Sequence, residues 1–535
     1  MNVAKVGAGV LALLFTLGVG AESVPQDGKK PMASSTVDGG VKSVKGYNTS
    51  VQSPVAEDGE FLRRVMFDLV GYPPNLDQVK AFMADTSPNK RAAKIDELVA
   101  SDDWADLWER QFSEVWFGNY HEVVMDTMPK VGKEASARIV ADFRKWFKGQ
   151  LAGDKPWNEI VAKMLDARGT DEGDPAMAYK LSFYFGDGQA MEFANGTARH
   201  LLGVRILCAR CHDHPFDAWK VEDYYGLAAF NVRQRARGYG SGGEKDSVAH
   251  IELKYVDEGE MQIEKSPDAN DKDNKVKLAS GGTAKPKFLY GGEAGPKDDR
   301  ARVLTLLMTG KANTQLPRAL ANRVWGYLFG RGIVHPVDDF NKRNQALSPS
   351  LLESLTKELI SNKYSLKHLI RVICNSDAYQ RSCESDKSAM KIDFSRGPIK
   401  QLTGEQLINA IQVATQGKPS RNTKTTMDMV SSLFPAGAVW CEVTPLPGNA
   451  RQALLLRNNT EIGNWISSGG VLGRIKGMQG AADEDKINEM FLAALSRPAS
   501  DSEIKRYWGF VRQYPSAWED AYWTLLNTAE FVTRH

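Results

Sequence analysis

From Phe61 onward, apolar residues recur at helical spacing. Phe61, Val65 and Leu69, with Leu62 and Met66 beside them, line one face of a helix. Gly71-Tyr72-Pro73-Pro74 breaks that helix, and Asn75 suits the N-cap of the next, whose stripe is Leu76, Val79, Phe82 and Met83. Ser87-Pro88 opens a third, with Ala92, Ile95, Leu98 and Val99 inward. Trp104, Leu107, Trp108, Phe112, Val115 and Trp116 keep the same period and predict core rather than a cofactor box. Further helices are expected over 135–148 and beyond Pro156-Trp157 through Ile160, Val161 and Met164. In the second half they are expected over 301–308, 316–329, 351–360, 366–374, 404–415, 453–466, 487–495, 504–514 and 517–531. Pro317 fits a first turn and Gly330 an end.

Two stretches break the helical pattern. Residues 238–299 are rich in Gly, Lys and Asp, and their apolar residues fall into strand-like pieces. His250 to Tyr255 and Glu260 to Glu264, joined by Asp257-Glu258-Gly259, predict a hairpin, and Lys275 to Leu278 and Lys287 to Tyr290 add two shorter pieces. Residues 22–57 carry Ser, Gly, Lys and Val without a period and read as a flexible tether. Before them, Lys5 precedes an apolar run from Val6 to Val19, and Val19-Gly20-Ala21 offers the small residues a signal peptidase accepts. That run is shorter than the roughly 20 apolar residues of a spanning helix. The expectation is cleavage after Ala21 and a periplasmic or otherwise exported mature chain with no stable membrane span.

The fold class predicted is mainly α, with two helical bodies joined by a small β-hairpin insert. Its segments are 1–21 (leader), 22–57 (tether), 58–237 (first helical body), 238–299 (insert) and 300–535 (second helical body). Several domains suit a chain of 535 residues, too long for one hydrophobic core. The 68 basic and 66 acidic residues leave a net charge of +2, which argues against nucleic acid and anionic membrane as partners. With five cysteines, the chain is no disulfide scaffold.

The placement of the cysteines changes the picture. Cys208-Ala209-Arg210-Cys211-His212 is the C-x-x-C-H pattern of c-type haem attachment, in which two thiols bond the haem vinyl groups and the next His reaches iron. Three other uses compete. Cys208, Cys211, His212 and His214 offer four donors for zinc; the pair suits a thiol switch; or it is structural. A sixth haem ligand would have to come from elsewhere in the chain. His214 is too close in sequence to cross the ring, and His200, His250, Met191 and His121 depend on the fold. Asp213 and Asp217 are candidate acceptors for the two imidazoles, although Asp217 is also placed to cap the helix that carries Val221, Tyr224, Tyr225, Leu227 and Ala228.

The run from Leu202-Gly203-Val204-Arg205 through Cys208 to Asp217, followed by Glu222-Asp223-Tyr224-Tyr225-Gly226-Leu227, resembles the planctomycete cytochrome-like domain, a bacterial family of unknown function. Phe61-Leu62-Arg63-Arg64 with Asp68 and Gly71 is similar to that family's opening helix. The second half resembles its usual C-terminal partner domain at Asn322-Arg323-Val324-Trp325, Leu328 to Val334, Pro336-Val337-Asp338-Asp339-Phe340, Ala378-Tyr379-Gln380-Arg381-Ser382, Gln452-Ala453-Leu454 and Leu495-Ser496-Arg497-Pro498. The resemblance implies a cytochrome-like first body that binds haem c through Cys208, Cys211 and His212. Leu207 and Arg210 stand where the family often has Gln, and Lys220 where a hydroxyl residue often caps the helix.

Three function classes follow. The first is an exported haem protein serving electron transfer, or redox support to a partner enzyme. The second is a helical binding or scaffold protein with a structural Cys/His metal site. The third is a polymer-degrading hydrolase using Arg318, Arg323, Arg331, Asp338 and Asp339, residues more often found as satisfied structural ion pairs.

Overall fold

The computed structural model describes residues 32–44, 47, 49, 52–117, 131–183, 189–243, 247–266, 278–384, 394–420, 459–468 and 470–534. The expected leader, His121, Cys441 and the run 452–454 lie outside them. The protein is mainly α with small antiparallel strand pairs.

The periodic segments become helices for the reasons their sequences give. In Asp58–Val70 the apolar face is fully buried, and Gly71 ends the helix at φ 84°, with its N–H on the Met66 and Phe67 carbonyls. Asn75 caps Leu76–Ala84 reciprocally with Gln78. The aromatic stripe of Asp102–Phe117 is core. Trp104, Trp108, Phe112 and Trp116 are at most 4% exposed, and Phe112 lies 4.7 Å from the Trp157 ring. Gly330, at φ 74°, closes Gln315–Phe329.

The insert contains strands, but their pairing differs from expectation. β1 (Gly169–Thr170), β2 (Gln234–Ser241) and β3 (Val248–Tyr255) form one sheet in the order β1-β3-β2. The strand at His250 to Tyr255 therefore pairs with the segment before it, Gln234 opposite Tyr255, and not with Glu260 to Glu264. That later segment supplies β4 (Met261–Gln262), which pairs with β5 (Thr283–Ala284). Ile251 and Leu253 alternate inward against the helix Lys133–Ala152, which fixes the register.

The tether assignment also needs correcting. Met32–Lys42 is a helix whose Val37 and Val41 are buried against helices of the second half. The Asp38 carboxylate accepts the N–H groups of Asp377 and Ala378, and Ser34 Oγ donates to the Val372 carbonyl. Beyond it, Ala56 N–H donates to the Gln380 carbonyl. The chain thus crosses the second half before entering the first.

The halves share one apolar core. Buried Arg63 donates to the carbonyls of Ala494 and Phe531, and Arg64 to those of Tyr379 and Arg381. Asp68 accepts from Tyr379 Oη at 2.6 Å and Lys400 Nζ at 3.1 Å, and it pairs with Arg534. Arg534 belongs to β7 (Thr533–Arg534), which pairs with β6 (Lys400–Gln401).

Candidate functional site

The C-x-x-C-H segment follows the helix Gln189–Leu201 through a turn at Gly203. Its φ is 67°, and a Cβ there would lie 2.9 Å from the Phe340 ring, so conformation and space both require glycine. Leu207–Arg210 is a 3₁₀ turn with Ala209 buried inward. Cys208 lies within this turn and Cys211 follows directly after it. Both are exposed free thiols.

Three links hold the turn. The Cys211 carbonyl accepts from Ala279 N–H at 2.9 Å, and His212 forms an isolated bridge with Leu278. Arg210 Nε donates to Glu264 at 3.0 Å, a carboxylate that Tyr225 Oη also reaches. The insert thus braces the motif.

His212 is partly buried, and its Nδ1 lies 2.7 Å from the Asp213 carbonyl oxygen. A carbonyl only accepts, so Nδ1 is the donor, and in the neutral tautomer that this selects Nε2 has a lone pair for a ligand bond. Two exposed thiols three residues apart and an adjacent imidazole with Nε2 outside any hydrogen bond among the described residues are the donor types that attachment of a haem calls for. Leu207 and Phe216, on either side of the motif in sequence, are 50% and 51% exposed.

His214 is arranged differently. Its Nδ1 accepts from Phe216 N–H at 3.3 Å, and partial burial lowers its pKa against the opposing fields of Asp217 and Asp339. Among the described residues no three His, Cys, Asp or Glu side chains gather as a metal-binding group, so the four-donor zinc arrangement is not assembled in this conformation.

The two aspartates take other roles than those expected. Asp213 Oδ1 accepts from Val221 N–H at 3.1 Å, at the start of the helix Val221–Ala228. Asp217 does not cap that helix, since its carboxylate accepts from Ala218 N–H. Asp223, in the first turn, reaches back to accept from Lys220 N–H, and its own N–H donates to the Lys220 carbonyl.

The second half forms a wall of the site. Phe340 N–H donates to the Gly203 carbonyl at 2.8 Å, and Gln315 Nε2 to that of Leu202 at 2.7 Å. Asp338 is fully buried between Arg199 Nε at 2.5 Å and Arg205 Nη2 at 2.7 Å. Burial alone would raise its pKa, but the hydrogen bonds from Arg205 and Arg199 hold it below the ordinary carboxylate value. The Arg343 guanidinium sits 4.0 Å above the Phe216 ring, and Arg318 5.4 Å from the Phe340 ring.

The remaining candidates scatter. Arg331 lies past the far end of Gln315–Phe329, about 20 Å from Arg318 by helical rise. His200 packs between the rings of Tyr179 and Phe183, and its pKa falls to about 3 through burial and the charges of Arg323 and Arg199. His250 stacks on Tyr239 and meets Arg138, and Met191 is buried. Sequence reasoning missed Arg199, Arg205 and Gln315. Arg199 is in the last turn of its helix, Arg205 in the loop beyond Gly203 and Gln315 at a helix start, and the fold rather than a local pattern brings them together.

Residues 36–235 match the model of a family described as PSCyt2, a protein of unknown function (DUF1549), and residues 300–432 match PSD1, also of unknown function (DUF1553). Each match covers less than half of the chain. The motif lies within the first and Asp338 within the second. No curated protein and no solved structure matches the chain. Among the described residues, no helix is long and apolar enough to cross a membrane.

Proposed function

We propose that this chain is an exported c-type haem protein, in which Cys208 and Cys211 hold the haem through thioether bonds and His212 Nε2 binds its iron. The observation that carries the reading is the turn itself: two exposed free thiols sit within and directly after a 3₁₀ turn, and the adjacent imidazole commits Nδ1 to a carbonyl. When bound, haem supplies one-electron redox chemistry. The chain's residues brace the turn through Arg210 and Ala279, wall it with Phe340 and Arg343, and offer apolar cover at Leu207 and Phe216. Export rests on the apolar run from Val6 to Val19 and the site at Ala21, which would deliver the thiols to the compartment where such haem is attached. The role is electron transfer, or redox support to a partner enzyme. In the hydrolase reading Asp338 is engaged by two arginines, which leaves Asp339 as its carboxylate.

Co-production with a cytochrome-maturation system tests this. The expected result is haem absorption that survives denaturation and disappears in Cys208→Ala/Cys211→Ala. A colourless protein from the native host, holding stoichiometric zinc that the double variant loses, would overturn it.

A further inference from the structure

Away from the motif, both halves enclose a second feature. The first turn of Asp58–Val70, the strip from Ser382 to Glu384 and the run from Leu495 to Pro498 border a cleft of about 900 Å³. This volume falls in the range of binding pockets. One wall is fixed by direct backbone contact: a Cβ on Gly59 would lie 1.8 Å from the Ser496 carbonyl oxygen, so the helix rests on that strand of chain.

The cleft has a distinct chemistry. Val55, Met83 and Ile399, respectively 57%, 39% and 63% exposed, all line it, which gathers large apolar side chains where surfaces normally scatter them. Its charged lining is five carboxylates against one guanidinium, and that guanidinium is occupied. Arg497 reaches Glu503 at 2.9 Å and Glu530 at 2.5 Å. Among the carboxylates, Asp58 is held by Lys90 and Arg91, and Glu60 by Arg64. Glu57 and Glu384 stand exposed at the edge, outside any ion pair among the described residues. An anionic ligand would meet uncompensated negative charge, and a purely apolar one would leave both glutamates without a counter-charge.

We propose that this cleft docks a short basic segment of a partner polypeptide. Its apolar side chains lie against Val55, Met83 and Ile399, and its lysine or arginine side chains meet Glu57 and Glu384. The site needs both halves and is separate from the C-x-x-C-H turn, so it would recruit a partner without covering the thiols.

Fluorescence anisotropy on the full mature chain tests the idea, with the fluorescein-labelled peptide Leu-Lys-Val-Lys-Leu-Arg as probe. Two control peptides replace its basic residues by Glu or its apolar residues by Ser. The expected result is saturable binding with Kd on the order of 10–100 μM. Binding should weaken about tenfold in Glu57→Lys/Glu384→Lys and in Ile399→Asp, and should weaken with added salt. The three positions are exposed, and an unchanged urea midpoint verifies that the variants fold. Absence of saturable binding up to about 1 mM, equal binding of the acidic control, or indifference to both variants would overturn the proposal.

Discussion

Two polar regions of this protein use the same kinds of side chain in opposite ways. At the interlock of the halves, Arg63, Arg64, Asp68, Tyr379 and Arg534 are buried and bonded to one another or to backbone carbonyls, with Lys400 at the margin. At the motif turn, Cys208 and Cys211 face solvent, and His212 uses one ring nitrogen to leave the other available. Buried charge is tolerated where every partner is present and is costly when one is removed. Exposed thiols contribute little to folding, so their placement is governed by chemistry rather than packing. The comparison separates residues that hold the molecule together from those that equip it to act.

Asp68→Asn should have the largest effect. It strips the counter-charge from Arg534 and Lys400, whose pKa burial and the charge of Arg64 already push down to about 7. A loss of about 3–5 kcal/mol is expected from urea denaturation, with both halves unfolding together because the core is shared. Separate transitions, with the first half unaffected, would break the comparison.

Asp338→Asn comes next. Its arginine partners are about a third exposed and can rehydrate, so a loss of about 2–3 kcal/mol is expected. Hydrogen exchange should speed up around Gly203 to His212, since Asp338 ties Arg199 and Arg205 across that turn. Unchanged exchange there would mean that the second half does not position the motif.

What the sequence revealed follows from how local each signal is. The helix at Asp58–Val70 and the C-x-x-C-H turn depend on neighbours within a few residues, and both were legible. The helix Met32–Lys42 was not. Met-Ala-Ser-Ser-Thr-Val-Asp-Gly-Gly-Val-Lys has weak intrinsic helicity, and its stability comes from docking; a Cβ on Gly40 would lie 2.8 Å from Leu351 Cα. The partner of β3 was missed because β2, Gln-Arg-Ala-Arg-Gly-Tyr-Gly-Ser, carries few apolar residues to announce a strand. Arg63 and Arg64 look like surface charges until the carbonyls of a distant segment surround them. Asp338 was noticed, but its partners lie more than a hundred residues away.

His200 offers a smaller, pH-dependent test beside the motif. Its folded pKa, about 3, lies below the ordinary value of 6.5, chiefly through burial and then the fields of Arg323 and Arg199, with Asp338 opposing. The unfolded chain therefore binds the proton first. Stability is fully present above about pH 6.5 and declines as pH falls from there toward about 3. At pH 5 the penalty is about 2 kcal/mol. His200→Phe should flatten the stability profile over that window, provided the larger ring packs between Tyr179 and Phe183. An unchanged slope between pH 6.5 and 4 would show that the imidazole is protonated in the folded state.

The smallest expected effect sharpens the comparison most. In protein prepared without haem, Cys208→Ala/Cys211→Ala removes two exposed thiols that form no disulfide. The backbone links that hold the turn, from Ala279 N–H to the Cys211 carbonyl and from Ala209 N–H to the Ile206 carbonyl, do not involve the side chains and persist. Substitutions of this kind change stability by no more than about 0.5 kcal/mol, so the urea midpoint should stay where it is while the capacity to retain haem disappears. A destabilisation comparable to that of Asp338→Asn would place the cysteines among the groups that hold the fold together. Their exposure would then need a structural explanation, and the division between holding and acting would fail at the residues on which it most depends.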